Sequence, residues 1–395
     1  MVSGYKQTDI GLIPLDWEVK KLGAVTDVIG GGTPSTSIKE YWNGNINWFT
    51  PTEISEIKYS YSSKRKITSL GLNNSSARML PIGTILLTSR AGIGDLSILG
   101  TESSTNQGFQ SLVTKKEINN EFLYYLMKTK KNVLLEYASG STFLEISPKN
   151  LKSIQIPLPP LPEQEAIAEV LSDTDALIGA LEKLIAKKRL IKQGTMQTLL
   201  TPKDDWEVKK LGEIILEIAD GGTPSTTNQK YFGGKINWVV IDDIKDKIYS
   251  TKKTLTNLGL KNSSSRLWKP ETIILSTGAT IGEVGIAKVY TATKQGICGI
   301  VVKENVSNIF LKYWFIKYKN LLKSLAQGSS IKELRPPTLI QFNISIPSFP
   351  KQTHIATILS DMDNEIDALE KKLSKTKELK QGLMQQLLTG KIRLV

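Results

Sequence analysis

The sequence is poor in the residues from which many catalytic and metal sites are built. It holds one cysteine, Cys298, and one histidine, His354, in 395 residues. A lone cysteine excludes an intrachain disulfide framework, and one residue of each kind excludes a Cys/His zinc site. A cysteine–histidine catalytic pair would require these two to meet, and nothing in their sequence surroundings points to that. No apolar run approaches the ~20 residues needed to span a bilayer. The opening MVSGYKQTDIGLIPLDW lacks a basic-then-apolar signal, so a soluble, cytoplasmic protein in a reducing compartment is expected. Gly390-Lys391 is followed by Ile392, which rules out a P-loop there. The Pro-Pro pairs, Leu158-Pro159-Pro160-Leu161 and Arg335-Pro336-Pro337-Thr338, are not Asn/Asp-Pro-Pro-aromatic segments. With no glycine-rich cofactor loop after a first strand, methyl transfer by this chain has no motif behind it.

Positive charge is plentiful. Lys and Arg number 51 against 38 Asp and Glu, a net +13. The 40% apolar and 23% charged composition is that of a globular chain, and the length suits two or three domains. The charge points to an anionic partner without naming it.

An internal repeat sets the organisation. Asp16 to Gly23 (DWEVKKLG) recurs letter for letter from Asp205 to Gly212, and Gly31 to Thr36 (GGTPST) recurs from Gly221 to Thr226. Tyr41 to Trp48 is answered by Tyr231 to Trp238, Leu70 to Ser76 by Leu258 to Ser264, and Gln107-Gly108 by Gln295-Gly296. A period near 190 residues means a duplicated pair of domains, since solenoid repeats run ~20–50 residues.

Each copy begins as mixed α/β. The β-rich runs Ile46–Phe49, Thr84–Thr88 and Ser111–Thr114 have counterparts at Ile236–Val240, Thr272–Ser276 and Ile297–Val302. Helices are expected near Glu121–Tyr137 and Asn308–Leu325. A proline-rich stretch follows, Ile156 to Pro162 and again Ile346 to Pro350, and reads as a stiff, non-helical connector. Long helical patterns then run from about Glu163 to Leu200 and from about Gln352 to Leu388. In the second, Met362, Ile366, Leu369, Leu373, Thr376, Lys380, Leu383 and Leu387 alternate by four and three. In the first, Ile178, Leu181, Ile185, Lys188, Lys192, Thr195 and Leu199 do the same. Such heptads predict paired helices whose polar seam positions fix register. Antiparallel pairing within one chain and pairing between chains fit equally.

The charge is segregated. Residues 1–160 carry +4, residues 161–204 carry −1, residues 205–348 carry +8 and residues 349–395 carry +2. The two α/β units thus hold nearly all of the excess, as expected if they touch a polyanion while the helices hold them apart.

Candidate contacts follow. Gly-Gly-Thr-Pro-Ser-Thr is either a tight turn or a loop donating to a DNA backbone. Thr88, Ser89 and Arg90 end a predicted strand, where an arginine suits bidentate reading of guanine and hydroxyls suit phosphate or base edges. Their counterparts Ser276 and Thr277 are followed by a glycine. Arg78 and Arg266 occupy equivalent Asn-Ser-Ser turns, and Lys64, Arg65, Lys252 and Lys253 form basic clusters suited to phosphate. Gln107, Lys294 and Gln295 complete the candidate set. Asp242-Asp243-Ile244-Lys245 touches on a nuclease-like acidic-x-Lys pattern. Its counterpart Thr52-Glu53-Ile54-Ser55 lacks the lysine, and no upstream acidic partner is evident, so no metal site is assigned.

These features together resemble a known family. The helices open with Pro159 to Ala168 (PPLPEQEAIA) or its echo Pro347 to Ala356, and carry Leu171 to Asp175 (LSDTD) and Leu359 to Asp363 (LSDMD). They end in Lys192-Gln193-Gly194 and Lys380-Gln381-Gly382. Over essentially its full length the chain resembles the specificity subunit of type I restriction–modification systems. The resemblance implies an α/β (α+β) fold: two similar target recognition domains, 1–158 and 205–345, joined by spacer helices, 159–204 and 346–395. The helices would form an antiparallel coiled coil with internal pseudo-two-fold symmetry, with Ile178, Leu181, Ile185, Met362, Ile366, Leu369 and Leu373 in the seam. It further implies binding of double-stranded DNA at a bipartite, gapped site. Two methyltransferase subunits, and restriction subunits through the complex, would be partners. No cofactor is expected here; S-adenosylmethionine, ATP and Mg2+ would belong to those partners, and this chain would be non-catalytic. Recognition domains in this family are usually dissimilar within one chain, whereas these two are close copies. A helix of ~36 residues spans ~54 Å, about one and a half turns of B-DNA. The competing reading is a stand-alone or homodimeric sequence-specific DNA-binding or architectural protein.

Overall fold

A computed structural model of the chain describes residues 4–54, 58–90, 92–139, 144–278, 280–326 and 333–394. It divides into two compact units, Met1–Glu182 with Lys372–Val395, and Lys183–Lys371. Among the described residues no helix is long and apolar enough to cross a membrane.

In the first unit, a five-stranded sheet runs in the order Thr26–Gly30, Gln110–Thr114, Ile85–Leu87, Leu96–Leu99, Tyr59–Ser60. Its strands are antiparallel except for the last pair. A second sheet sets Trp42–Phe49 between Ser103–Thr105, parallel, and Arg65–Ile67, antiparallel. The helix Asn120–Thr129 starts where the Asn119 side chain accepts from the Phe122 amide at 3.0 Å. The main core joins that helix, through Phe122 and Leu126, to Trp17, Leu22, Leu151 and Leu171, and to Leu387 and Leu388.

The second unit repeats this plan. Its five-stranded sheet is ordered Ile215–Asp220, Ile297–Val302, Ile273–Ser276, Val284–Ala287, Lys247–Ile248. Its other sheet sets Phe232–Val239 between Thr254–Leu255 and Thr291–Thr293, with Leu267–Trp268 beyond. Ser307 caps the helix Asn308–Lys317 by accepting from the Phe310 amide at 3.2 Å.

Two expectations need correction. The helices expected at Glu121–Tyr137 and Asn308–Leu325 are each broken, at Lys130 and Tyr318, into a long and a short piece. Both break residues take ψ near +15°, which turns the second piece back to bury Leu134 or Leu322. The proline stretch is not a connector either. Gln155–Leu158 is a strand paired antiparallel with Glu18–Lys21, with Pro157 opposite Val19. Its counterpart Asn343–Ile346 pairs with Glu207–Lys210. Each ribbon has two strands only, so a proline costs it little. Pro162 and Pro350 then fall in the first turn of the long helices, where a missing N–H costs nothing.

Those helices are Leu161–Leu199 and Phe349–Leu387, 39 residues each. Within the first unit they pair antiparallel: Lys380 reaches Asp175 at 2.5 Å and Lys377 reaches Glu182 at 2.6 Å. Within the second, Lys188 meets Glu365 and Arg189 meets Glu370, each at 2.6 Å, and Lys192 meets Asp363. Leu181, Ile185 and Ile366 are buried along this seam, and Ile178, Met362, Leu369 and Leu373 are half-buried.

Candidate nucleic-acid interface

Three loops converge beside the second sheet of each unit, and their backbones are in contact. A Cβ on Gly31 would lie 2.0 Å from the Asn106 carbonyl, and one on Gly32 would lie 2.3 Å from the Ala77 nitrogen. Gly221 and Gly222 stand in the same relation to Thr293 and Ser265, each at 2.3 Å. No side chain fits at these four positions. The indole of Trp48, on the central strand, donates to the Gly32 carbonyl at 2.8 Å, and Trp238 donates to Gly222 at 3.1 Å. The amides point inward too: Gly32 and Gly222 donate to Thr105 and Thr293, both at 2.9 Å. Gly-Gly-Thr-Pro-Ser-Thr is therefore a packed turn whose second glycine has no free amide for a phosphate.

A carboxylate holds the basic run in place. Glu53 accepts from the Thr50 amide at 2.8 Å and from the Lys64 amide at 2.6 Å. In the second unit Asp243 accepts from Val240 at 3.1 Å and from Lys252 at 3.2 Å. The acid of the nuclease-like pattern is thus a loop clamp, with its oxygens turned to main-chain donors.

The side chains named from the sequence fall into two groups. Lys64, Arg65, Arg78 and Gln107 are exposed in the first unit, as are Lys252, Lys253, Arg266, Lys294 and Gln295 in the second. The Arg65 guanidinium lies over the Trp42 ring, 3.8 Å from its centre, and 5.3 Å from that of Trp48. Arg266 is paired with Glu217 at 2.6 Å. Arg90 is exposed and paired with Glu145 at 3.0 Å. Among the described residues, no carboxylate lies within 4 Å of the side-chain nitrogens of Lys64, Arg65, Arg78, Lys252, Lys253 or Lys294.

Four candidates need correction: Thr88, Ser89, Ser276 and Thr277 are buried. The Thr88 hydroxyl donates to the Gly92 carbonyl at 2.6 Å, and that of Ser276 to Thr280. These hydroxyls shape the turn from inside, so a partner at the surface does not reach them. Ala91 and Ala279, within these turns, lie outside the described residues. Cys298 lies beneath the second turn, and burial pushes its thiol up to about 12, leaving it protonated at neutral pH.

Two residue sets escaped the sequence reading. Buried Gln164 donates to the carbonyls of Pro159 at 2.9 Å and Glu117 at 3.1 Å, and accepts from the Asn119 amide at 2.9 Å. Gln352 repeats this on Pro347 and Ser307, both at 2.9 Å. One side chain thus staples the start of each long helix to the cap of the domain helix. The second set explains the twice-occurring Leu-Ser-Asp-x-Asp and Lys-Gln-Gly. Tyr125 donates to Asp175 at 2.7 Å while Lys380 binds the other oxygen of that carboxylate. Tyr313 donates to Asp363 at 2.6 Å while Lys192 does the same. Burial, with the neighbouring carboxylate, holds both phenols above their ordinary value, so they remain donors. Recurrence of Pro-x-Gln and of these Asp and Lys positions was the available signal.

Comparison with known proteins agrees with this organisation. The family described as type I restriction modification DNA specificity domain matches twice, over residues 14–191 and 203–381. The MjaIX type I restriction enzyme specificity subunit of Methanocaldococcus jannaschii is 31% identical over 99% of this chain and 96% of its own length. The MjaVIII specificity subunit of the same organism is 27% identical over 97% of this chain and 94% of its own. Among solved structures, a type I restriction–modification S subunit from M. genitalium covers 98% of this chain and 99% of its own with a TM-score of 0.59. At 18% identity that likeness speaks for the fold alone.

Proposed function

The chain belongs to the family of type I restriction–modification specificity subunits, and we propose that it reads a bipartite DNA site with its two loop clusters and docks methyltransferase subunits on its long helices. One observation carries this reading. Two copies of a single scaffold present matched loops on which, among the described residues, Lys64, Arg65 and Arg78 in one copy and Lys252, Lys253 and Lys294 in the other have no carboxylate partner, while Arg90 and Arg266 are paired. Such charges suit phosphate, and the sequence-specific term would come from exposed groups such as Arg90, Gln107 and Gln295 that can reach base edges. The domains are 1–158 and 205–345, with 159–204 and 346–395 as spacers. Restriction subunits would join through the methyltransferase.

A 39-residue helix is about 58 Å long, enough to exceed one turn of B-DNA, about 34–36 Å. Each copy of the scaffold would read one half of the site, with the base pairs between the halves unread. The expected target is a gapped motif with related halves. Methylome sequencing of cells carrying this chain and its methyltransferase tests the proposal: a gapped motif is expected, and a continuous motif refutes it.

A further inference from the structure

The two loop clusters differ at one place. In the first unit the Arg65 guanidinium covers Trp42 and leans toward Trp48. The corresponding residues of the second unit are Lys253, Phe232 and Trp238, aligned because Trp48 lies opposite Arg65 and the Trp238 amide donates to the Lys253 carbonyl at 3.1 Å. Phe232 and Trp238 pack edge to face with centres 5.8 Å apart, and among the described residues no cation stacks on either. A cleft of about 500 Å³ opens there, lined by Thr223, Phe232, Trp238, Lys252, Lys253 and Lys294. It joins the half-buried ring of Phe232, over the buried Trp238, to three ammonium groups that have no carboxylate partner among the described residues. Asn106 stands where Lys294 does, so the first unit also has one cation fewer at this rim.

We propose that this cleft receives one DNA nucleotide whose base has left the helical stack, the base against the half-buried ring of Phe232, with the buried Trp238 as the floor beneath it, and its phosphates among Lys252, Lys253 and Lys294. An aromatic wall offers a π-face, and a paired base inside a duplex shows only its edges. Only an unstacked base can therefore use the wall, while the lysines are neutralised by the phosphates on either side of it. The inference rests on the reading of the chain as a DNA binder and adds an asymmetry to it: the second unit has the site, and in the first Arg65 occupies the wall.

The test uses the full chain, a fully paired duplex, and the same duplex with one unpaired thymidine, read by fluorescence anisotropy at low salt. The wild type should bind the bulged duplex about tenfold more tightly, the weight of one stacked base. The variant F232W/K253R rebuilds the first unit's stack at unchanged net charge, and should lose that preference, the ratio of its affinities for the bulged and the paired duplex falling to about one. In W42F/R65K the preference should persist or grow. Equal binding of the two duplexes by the wild type, or an unchanged preference in F232W/K253R, overturns the proposal. So does displacement of the bulged duplex by thymidine monophosphate at matched concentration, which would make the cleft a site for free nucleotides. Failure of every form to bind any duplex would instead sink the DNA reading itself, and the cleft proposal with it.

Discussion

Replacing Arg393 with alanine should expose how the first unit is closed. Its guanidinium binds both oxygens of Glu163, at 2.7 and 2.9 Å, and both of Asp16, at 2.9 and 2.6 Å. The Glu163 side chain is 1% exposed, and its other partner is the Trp17 indole at 2.9 Å. Removing one member of a buried ion pair costs about 3–5 kcal/mol, because a charge is left stranded. The Asp16 half is exposed and adds about 0–1 kcal/mol. Trp17 stays, and Glu163 sits in the first turn of the helix Leu161–Leu199, whose dipole favours an anion by about 0.3–1 kcal/mol. A net loss of about 3 kcal/mol follows, or about a hundredfold in opening equilibrium. Hydrogen exchange resolves this by segment: peptides around Asp16–Leu22 and Phe122–Met127 should exchange about a hundredfold faster, with peptides of the second unit as control. The double variant E163Q/R393A has no stranded charge and should recover to a deficit of about 1–1.5 kcal/mol from lost hydrogen bonds. If it exchanges as fast as R393A or faster, the stranded-charge reasoning is wrong. The second unit already lives without such a pair. Lys351 stands at the position of Glu163 and bridges to Asp205 at 2.7 Å, while the buried Trp206 indole nitrogen has no partner among the described residues.

Other outcomes follow from the same geometry. Burial pushes the Glu121 carboxyl up, but hydrogen bonds from Ser172, Tyr59 and Lys58 outweigh it and hold the group below its ordinary value of 4.5. Its contribution is therefore complete above that value and is lost as pH falls through the lower folded one. Acid unfolding of the first unit should flatten in E121Q, and an unchanged acid limb would count against the assignment. Replacing Lys192 with methionine leaves the half-buried Asp363 carboxylate with Tyr313 alone; a loss of about 2 kcal/mol confined to the second unit is expected in hydrogen exchange. Restoration by D363N is the check. Changing Lys252 or Lys253 to alanine should weaken duplex binding evenly across sequences and lower the slope of log affinity against log salt by about 0.9 each. R90A should instead relax one half of the methylated motif, at about 1–3 kcal/mol, and an intact motif would return Arg90 to a surface pair with Glu145.

The duplication made the plan of two like units visible before any coordinates, and the four-three spacing of Leu181, Ile185 and Ile366 marked the helix seam. What stayed hidden depended on partners far apart in the chain. Pro157 looked like a linker residue because its strand partner, Val19, lies 138 positions away. Thr88 and Ser276 looked like surface hydroxyls because strand-end position was legible while depth was not. The recurrence of Pro-x-Gln marks Gln164 and Gln352 as positions without revealing what they do. The role of Gln164 exists only once Asn119 is brought beside Pro159.

Comparing the copies separates what builds the reader from what reads. Most residues whose bonds point inward are kept or exchanged for chemical equivalents, Trp48 and Trp238, Gly32 and Gly222, Glu53 and Asp243, Gln164 and Gln352, Asp175 and Asp363, with Glu163 and Lys351 the exception. Among residues whose tips reach solvent, some differ in kind, Trp42 and Phe232, Arg65 and Lys253, Arg90 and Gly278, while Arg78 and Arg266 and Gln107 and Gln295 are kept. Inward bonds are coupled, since changing Trp48 strands the Gly32 carbonyl and with it the turn that carries Thr33. Outward tips are nearly independent and can change one at a time at small cost in stability. A scaffold of this kind keeps its loop geometry while its contacts drift. The excess charge is +4 over residues 1–160 and +8 over residues 205–348, and the salt dependence of the two halves should differ accordingly.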